Sequence, residues 1–288
     1  MAKKTSGAKP QGRNQIRYMD VDFFRKEKEN ILWDLKIKDM RAQDRRFGAN
    51  FGIVGDVEFN KDEKGNDDIR KQYIVMDLER WKLKEKNDAS SRLIMRCFDD
   101  VITDKEKDRK VGGTFRGGLE LSMINSINLS LAAKKPLPSF YMFLPQINTL
   151  TQFFEQRTLT FKHYVFPLYP LDKEPTRFFK MISTVGVGDD FKVVEIGRKG
   201  KVATIDHNPF NIGGRFEVEI HAEDLQSHKT FPQILILACC MIKFIGEIDK
   251  LIEGLLKDIF SDKEDEVGFQ FNVNLEELEL LKNPRYLK

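Results

Sequence analysis

The sequence predicts a mainly β (α+β) protein: an antiparallel β-barrel or sandwich enclosing a C-terminal hydrophobic helix. Three observations carry that expectation. Short apolar runs follow one another with glycine or charged turns between them, and no βαβ spacing intervenes. Phenylalanine occurs 23 times in 288 residues, a usage that suits aromatic-rich strand cores. The stretch Ile234–Ile242 (ILILACCMI) is apolar on every side, so a helix there must lie inside protein or inside lipid. A bilayer span takes about 20 apolar residues. Lys243, Glu247, Asp249 and Lys250 interrupt this one, so a protein enclosure is expected and a transmembrane segment is not.

The elements follow in order. Residues 1–17 carry Lys3, Lys4, Lys9, Arg13 and Arg17 without an acid, and read as a flexible basic arm. A single β-rich domain is expected over 18–260, then an acidic linker with a C-terminal strand or tail over 261–288. Val21, Phe24, Ile31, Leu32 and Leu35 recur mostly at spacings of three and four, which predicts a helix over 20–44. Phe51–Val57 is a short apolar piece punctuated by Gly52 and Gly55, and Asn60–Asp68 reads as an exposed turn. Strands are predicted at Gln72–Leu78, Arg92–Phe98, Leu119–Leu131, Ser139–Leu144 and Thr158–Phe166. Further strands are predicted at Phe178–Ser183, Phe191–Ile196, Lys201–Ile205 and Arg215–His221. In Arg92–Phe98, Leu93, Met95 and Cys97 alternate with Arg92, Ile94 and Arg96.

The central helix is predicted over 231–260, with Thr230 as its N-cap and Pro232 in the first turn. Beyond Lys243 only one face stays apolar, through Ile245, Ile248, Ile252, Leu255 and Ile259. In the tail, Phe269, Phe271, Val273 and Leu275 alternate with Gln270, Asn272 and Asn274. Such a strand either closes the protein's own sheet or adds to a partner's edge.

Charge nearly cancels, with 48 Lys and Arg against 45 Asp and Glu, so the net +3 announces neither nucleic acid nor membrane. The ends are polarised, basic at the start and acidic from Asp262 to Glu279, which suits different partners. Cys97, Cys239 and Cys240 form no CxxC motif and no disulfide framework, so a reducing, cytoplasmic setting is expected. The polar N-terminus lacks the apolar core of a secretory signal. Gly7, Pro10 and Gly12 interrupt the amphipathic helix that a mitochondrial leader would need.

A distinct pattern runs up to the helix. Strand Phe191–Ile196 is followed by the basic turn Gly197, Arg198, Lys199, Gly200, then strand Lys201–Ile205 and the pair Asp206 and His207. Gly213 and Gly214, strand Arg215–His221 and the apolar helix complete it. Over residues 178–245 this order resembles the C-terminal end of the tubby, phospholipid scramblase and LURP-one-related superfamily. The resemblance implies a closed antiparallel barrel wrapped around a central hydrophobic helix. The chain departs from the family in lacking the cysteine-rich tract of scramblases and in continuing beyond the helix. In the tubby branch, basic residues on the barrel surface bind phosphoinositides. The resemblance thus implies an anionic headgroup site at Arg198, Lys199 and Lys201, with Arg177 and Lys180 nearby. The plainer alternative is an exposed, charged hairpin turn.

Other candidates carry less chemistry. Lys105, Lys107, Arg109, Lys110 and Arg116 are interleaved with Asp104, Glu106 and Asp108, which weakens any single-sign field. His207, His221 and His228 fall close together but match neither HExxH nor a Cys₂His₂ spacing, so no metal is assigned. No nucleophile elbow or phosphate-binding glycine loop occurs, and neither catalytic residues nor a cofactor are assigned. The expectation is a non-enzymatic binding or scaffold protein, docking to anionic lipid or serving as a subunit of a larger assembly. The alternative is a nucleic-acid-binding protein that uses residues 1–17 on phosphates.

Overall fold

A computed structural model describes residues 17–23, 51–59, 71–81, 91–99, 114–147, 150–157, 162–170, 175–184, 190–208 and 214–260. The described residues form twelve strands, of which β1 (Arg17–Phe23), β2 (Phe51–Phe59), β3 (Lys71–Asp77), β4 (Ile94–Asp99), β5 (Phe115–Leu121) and β6 (Ser139–Phe143) come first. They continue as β7 (Thr151–Arg157), β8 (Lys162–Leu168), β9 (Arg177–Ser183), β10 (Phe191–Glu195), β11 (Lys201–Asn208) and β12 (Arg215–Ile220). Helices α1 (Leu78–Trp81) and α2 (Met123–Ala133) interrupt the series, and α3 (Glu223–Gln226) and α4 (Phe231–Phe260) follow it. Each strand pairs antiparallel with its chain neighbours, and β1 closes the barrel on β12. Barrel width grows with strand number. Twelve strands leave room for a helix about 10–12 Å across, where eight would be filled by their own side chains.

That helix is α4. Every residue from Phe231 to Ile242 is buried, and the first exposed position is Gly246. Inward side chains such as Met95, Leu119, Phe153, Phe166, Phe179, Val193 and Val218 join the same core. Beyond Ile242 the burial becomes one-sided, through Ile245, Ile248, Ile252 and Leu255. There Phe244 packs edge-on against Phe23 and Trp81, and Lys162 pairs with Asp249 at 2.6 Å. The enclosed helix and its bounds match the sequence expectation. Its cap differs: the Thr230 carbonyl accepts from the Ile234 amide, but the imidazole Nδ1 of His228 takes the Thr230 and Phe231 amides at 3.2 Å.

Several expectations are corrected. The helix proposed for 20–44 begins inside β1, where Met19, Val21 and Phe23 face the core and Tyr18, Asp20 and Asp22 do not. Cross-strand pairing on both sides overrides the spacing of three and four that suggested a helix. The rest of that segment, residues 1–16 of the arm, the turn 60–68, the charged loop 103–110 and the tail 261–288 lie outside the described residues. Arg17, placed in the arm, is the first residue of β1. The run Leu119–Leu131 is not one strand. It breaks at Ser122, whose hydroxyl accepts from the Asn125 amide, and continues as α2 until Lys134 turns left-handed at φ 53°. Of the expected strand over 158–166, residues 158–161 lie outside the described residues and the rest falls in β8, which runs on to Leu168; β7 went unread because Thr, Gln, Glu and Arg dilute its Phe153–Phe154 pair.

One quadrant is buried on both faces. On β4 the outward Ile94, Arg96 and Phe98 are as buried as the inward Met95 and Cys97. Glu120 on β5 sits between two guanidiniums there, accepting from Arg92 Nη2 at 2.6 Å and from Arg96. Gly118 makes room for this cluster, since a Cβ on it would fall 2.7 Å from Arg96 Cδ.

Leu237→Asp is expected to abolish the cooperative unfolding transition, because an enclosed carboxylate costs more than the roughly 5–15 kcal/mol that holds a domain together. Glu253→Ala, on the exposed side of α4, should leave the transition unmoved; circular dichroism melts read both. Glu120→Ala, which strands two buried cations, should cost roughly 3–5 kcal/mol in a denaturant titration.

Candidate functional site

The predicted basic cluster divides in two. Arg177 opens β9 at the barrel mouth where α4 enters, above the Phe179 ring, which in turn packs on Phe231. Its guanidinium makes a two-pronged contact with Glu195 at the end of β10, both bonds 2.7 Å, and reaches Asp224 of α3 at 2.8 Å. Arg198, in the exposed turn, bonds Asp224 at 3.0 Å and lies 3.5 Å from Glu195. Two arginines and two carboxylates thus neutralise one another and tie α3, the lead-in to α4, onto β9 and β10. The Arg177 contact holds the Glu195 carboxyl below its usual range. Burial works to raise Asp224, yet the bonds from Arg198 and Arg177 bring it below its usual range.

Lys180 and Lys201 lie elsewhere, on the outer wall. Strand register places Phe154, Val165, Lys180, Val194 and Lys201 in one row across β7 to β11. The next row holds His163, Ile182 and Lys192. Towards the α4 mouth, Phe178 lies beside Pro167, and the Ile196 amide donates to the Phe178 carbonyl at 2.8 Å. Phe154, Phe178 and Ile196 are 45%, 49% and 58% exposed, which makes this wall a mosaic of solvent-facing apolar side chains and lysines. Lys199 stands in the exposed turn beyond Ile196. Burial, then the charge of Lys180, depresses the pKa of His163 within the mosaic.

The wall formed by β12, β1 and β2, with the far end of β11, is opposite in sign. Asp206, Glu217, Asp20 and Glu58 form one cross-strand row, with Asp22 and Asp56 in the next and Glu219 alongside. Arg215 on Asp20 at 3.0 Å and Lys71 on Asp56 at 2.6 Å offset part of this charge. Burial and the neighbouring Asp190, Glu219 and Glu217 raise the Asp206 carboxyl. Separate strand patterns assemble into a barrel with one basic-apolar and one acidic side. Sequence reading missed Lys192, Phe154 and Phe178 as site residues; the signal was present as apolar residues at outward positions of otherwise alternating strands.

The three histidines are not brought together. His207 stacks on Phe216, His221 lies 3.3 Å from the Thr204 hydroxyl, and His228 caps α4. Among the described residues no group of three or more His, Cys, Asp or Glu side chains could hold a metal ion. Burial raises the Cys239 and Cys240 thiols, the latter helped by its contact with Cys97, so neither is poised as a thiolate. Arg116 of the second basic cluster pairs with Asp99.

A closed barrel around a buried helix is a rigid frame, and this architecture is consistent with a non-enzymatic binding or scaffold protein. It is also consistent with the general barrel-and-helix architecture of tubby-like and scramblase-like proteins. No protein-family model matches the sequence, and neither a curated protein nor a solved structure matches the chain.

Stability should fall on acidification in two stages. His163 and His221 have depressed pKa values, so the unfolded chain binds their protons first and stability drops as pH falls below about 6.5. Glu195 and Asp224, also depressed, contribute fully above their unfolded values and lose that contribution below about pH 4. Denaturant midpoints from pH 8 to pH 3 read both stages, and Arg177→Ala should flatten only the lower one.

Proposed function

We propose that this chain is a tubby-like binding protein that docks peripherally on an anionic membrane surface through the outer wall of β7 to β11. The observation that carries the reading is the alternation of exposed apolar side chains with Lys180, Lys192, Lys199 and Lys201, bordered across β11 by an acidic wall. Exposed Phe154, Phe178 and Ile196 suit the acyl–headgroup boundary, and the lysines suit lipid phosphates. The adjoining acidic wall disfavours a roll of the barrel towards β12 and β1. Arg177 and Arg198, committed to Glu195 and Asp224, serve this reading as the frame beneath the turn more than as headgroup contacts. The enclosed half of α4 is the core of the barrel and takes no part in membrane contact.

Sedimentation with vesicles containing phosphatidylserine or a phosphoinositide tests this. Lys180→Glu/Lys199→Glu/Lys201→Glu should weaken binding on the order of 10²-fold, each lysine near such a surface being worth about 1 kcal/mol. Phe154→Ser/Phe178→Ser should weaken it with the salt dependence unchanged. Equal binding of wild type and the charge variant would remove the proposal.

A second reading, a subunit of a larger assembly, has one observation in its favour. Each of the twelve described strands is paired on both sides, so the described barrel offers no edge to the alternating segment Phe269–Leu275. That segment then fits a partner's sheet, and native mass spectrometry of complexes purified with and without residues 261–288 tests it.

A further inference from the structure

A second concave site lies at the α4 mouth, away from the outer wall. It is a cavity of about 240 Å³ whose lining includes Gln72, Arg116, His228, Lys229, Pro232 and Gln233. Two features distinguish it from a surface dimple. Gln72 and Gln233 are 1% and 6% exposed, and Gln72 Oε1 and Gln233 Nε2 have no hydrogen-bond partner. Buried amides left unpaired cost stability, and a native fold keeps such groups where something else completes them. Gly117, facing Gln233, leaves the space open: a Cβ there would come within 3.2 Å of Gln233 Cγ.

The surrounding charge specifies what would complete them. Arg116 and Lys229 both line the cavity. Arg116 is oriented by Asp99 through its Nε and Nη2 groups, yet a guanidinium carries five N–H donors, more than that carboxylate uses. The positive end of the 30-residue α4 dipole points the same way, because Pro232 and Gln233 stand in its first turn. His228 accepts backbone amides at Nδ1, so its neutral ring carries its proton on Nε2. The lining thus offers cationic and amide donors together with one buried acceptor, Gln72 Oε1. An oxyanion satisfies the donors, and a hydroxyl on the same molecule satisfies the acceptor.

We propose that this mouth binds a small phosphate monoester bearing hydroxyl groups, the chemistry shared by free polyol phosphates and the headgroups of some lipids. The phosphate meets Lys229 and Arg116 in the field of the positive end of α4, and a hydroxyl donates to Gln72 Oε1 while Gln233 Nε2 donates to an oxygen of the ligand. At about 240 Å³ the cavity lies below the roughly 300–1,000 Å³ of drug-sized pockets, which suits a compact ligand.

Calorimetric titration of the full chain with glycerol 3-phosphate, inositol monophosphate and inorganic phosphate tests the site. Saturable binding of the two esters is expected, with inorganic phosphate at least about tenfold weaker because it leaves Gln72 unserved. Lys229→Glu, at an exposed position, should reduce ester binding by at least about tenfold. Gln72→Leu should abolish the preference for esters with little change in melting temperature, since the fold gives its Oε1 no partner; a fall in melting temperature with the preference unchanged would mean a purely structural role and overturn the proposal. Absence of saturable binding by either ester at millimolar concentration would overturn it as well. Vesicle sedimentation of Lys229→Glu separates the sources: a loss of vesicle binding identifies a lipid headgroup, and unchanged vesicle binding a soluble ester. The Lys180→Glu/Lys199→Glu/Lys201→Glu chain should keep its ester affinity, so the outer wall and the mouth can fail independently.

Discussion

The structure depends on the need to enclose the first half of α4. From Phe231 to Ile242 no side of that helix tolerates water, and a two-layer packing would leave one side exposed. A closed sheet solves the problem and removes every strand edge at the same time. Twelve strands set a bore that a helix fills, so inward side chains from all around the barrel meet one central element. The second half of α4 emerges and needs a single neighbour, which is why its burial turns one-sided beyond Lys243. Lys243 itself is half-buried under Gly214, where φ is +91° and a Cβ would strike its ammonium.

Enclosure concentrates polar chemistry at the mouth where α4 enters. On one side Arg177, Glu195, Arg198 and Asp224 balance charge for charge and anchor the lead-in helix. On the other, Gln72 and Gln233 are buried against a cavity with cations at its rim. The first arrangement is internally complete and therefore structural. The second is incomplete within the fold, and for that reason reads as a place for a ligand. The outer walls divide the remaining work, with lysines and apolar side chains on β7 to β11 and carboxylates on β12, β1 and β2.

Much of the frame was legible. Glycine and charged turns separated β9 to β12 because these strands keep one wetter face, so alternation survives in Phe216, Val218 and Ile220. The central helix was legible to the residue, since only a fully enclosed helix has no polar stripe. β1 was misread because its outward Asp20 and Asp22 and its inward Val21 also fit the start of a charged helix. The strand-to-helix break at Ser122 was missed because Leu119, Leu121 and Met123 keep a period of two across it. Arg92 and Arg96 read only as the residues alternating with Leu93, Met95 and Cys97. Their burial on Glu120 requires a quadrant covered on both faces, which a local pattern cannot reveal.

The sequence by itself determined that a fully apolar helix must sit inside a sheet of short antiparallel strands, because burial of that helix admits few alternatives. It also identified the basic turn at Arg198, Lys199 and Lys201 as a charged feature. Only the tertiary structure decided that Arg177 and Arg198 are neutralised while Lys180 and Lys201 share a wall with Phe154, because pairing register sets which strands' outward residues become neighbours. The enclosure of α4 likewise decided that Gln72 and Gln233 line one cavity. Positions 72 and 233 are far apart in the chain and come together only when the barrel closes around α4.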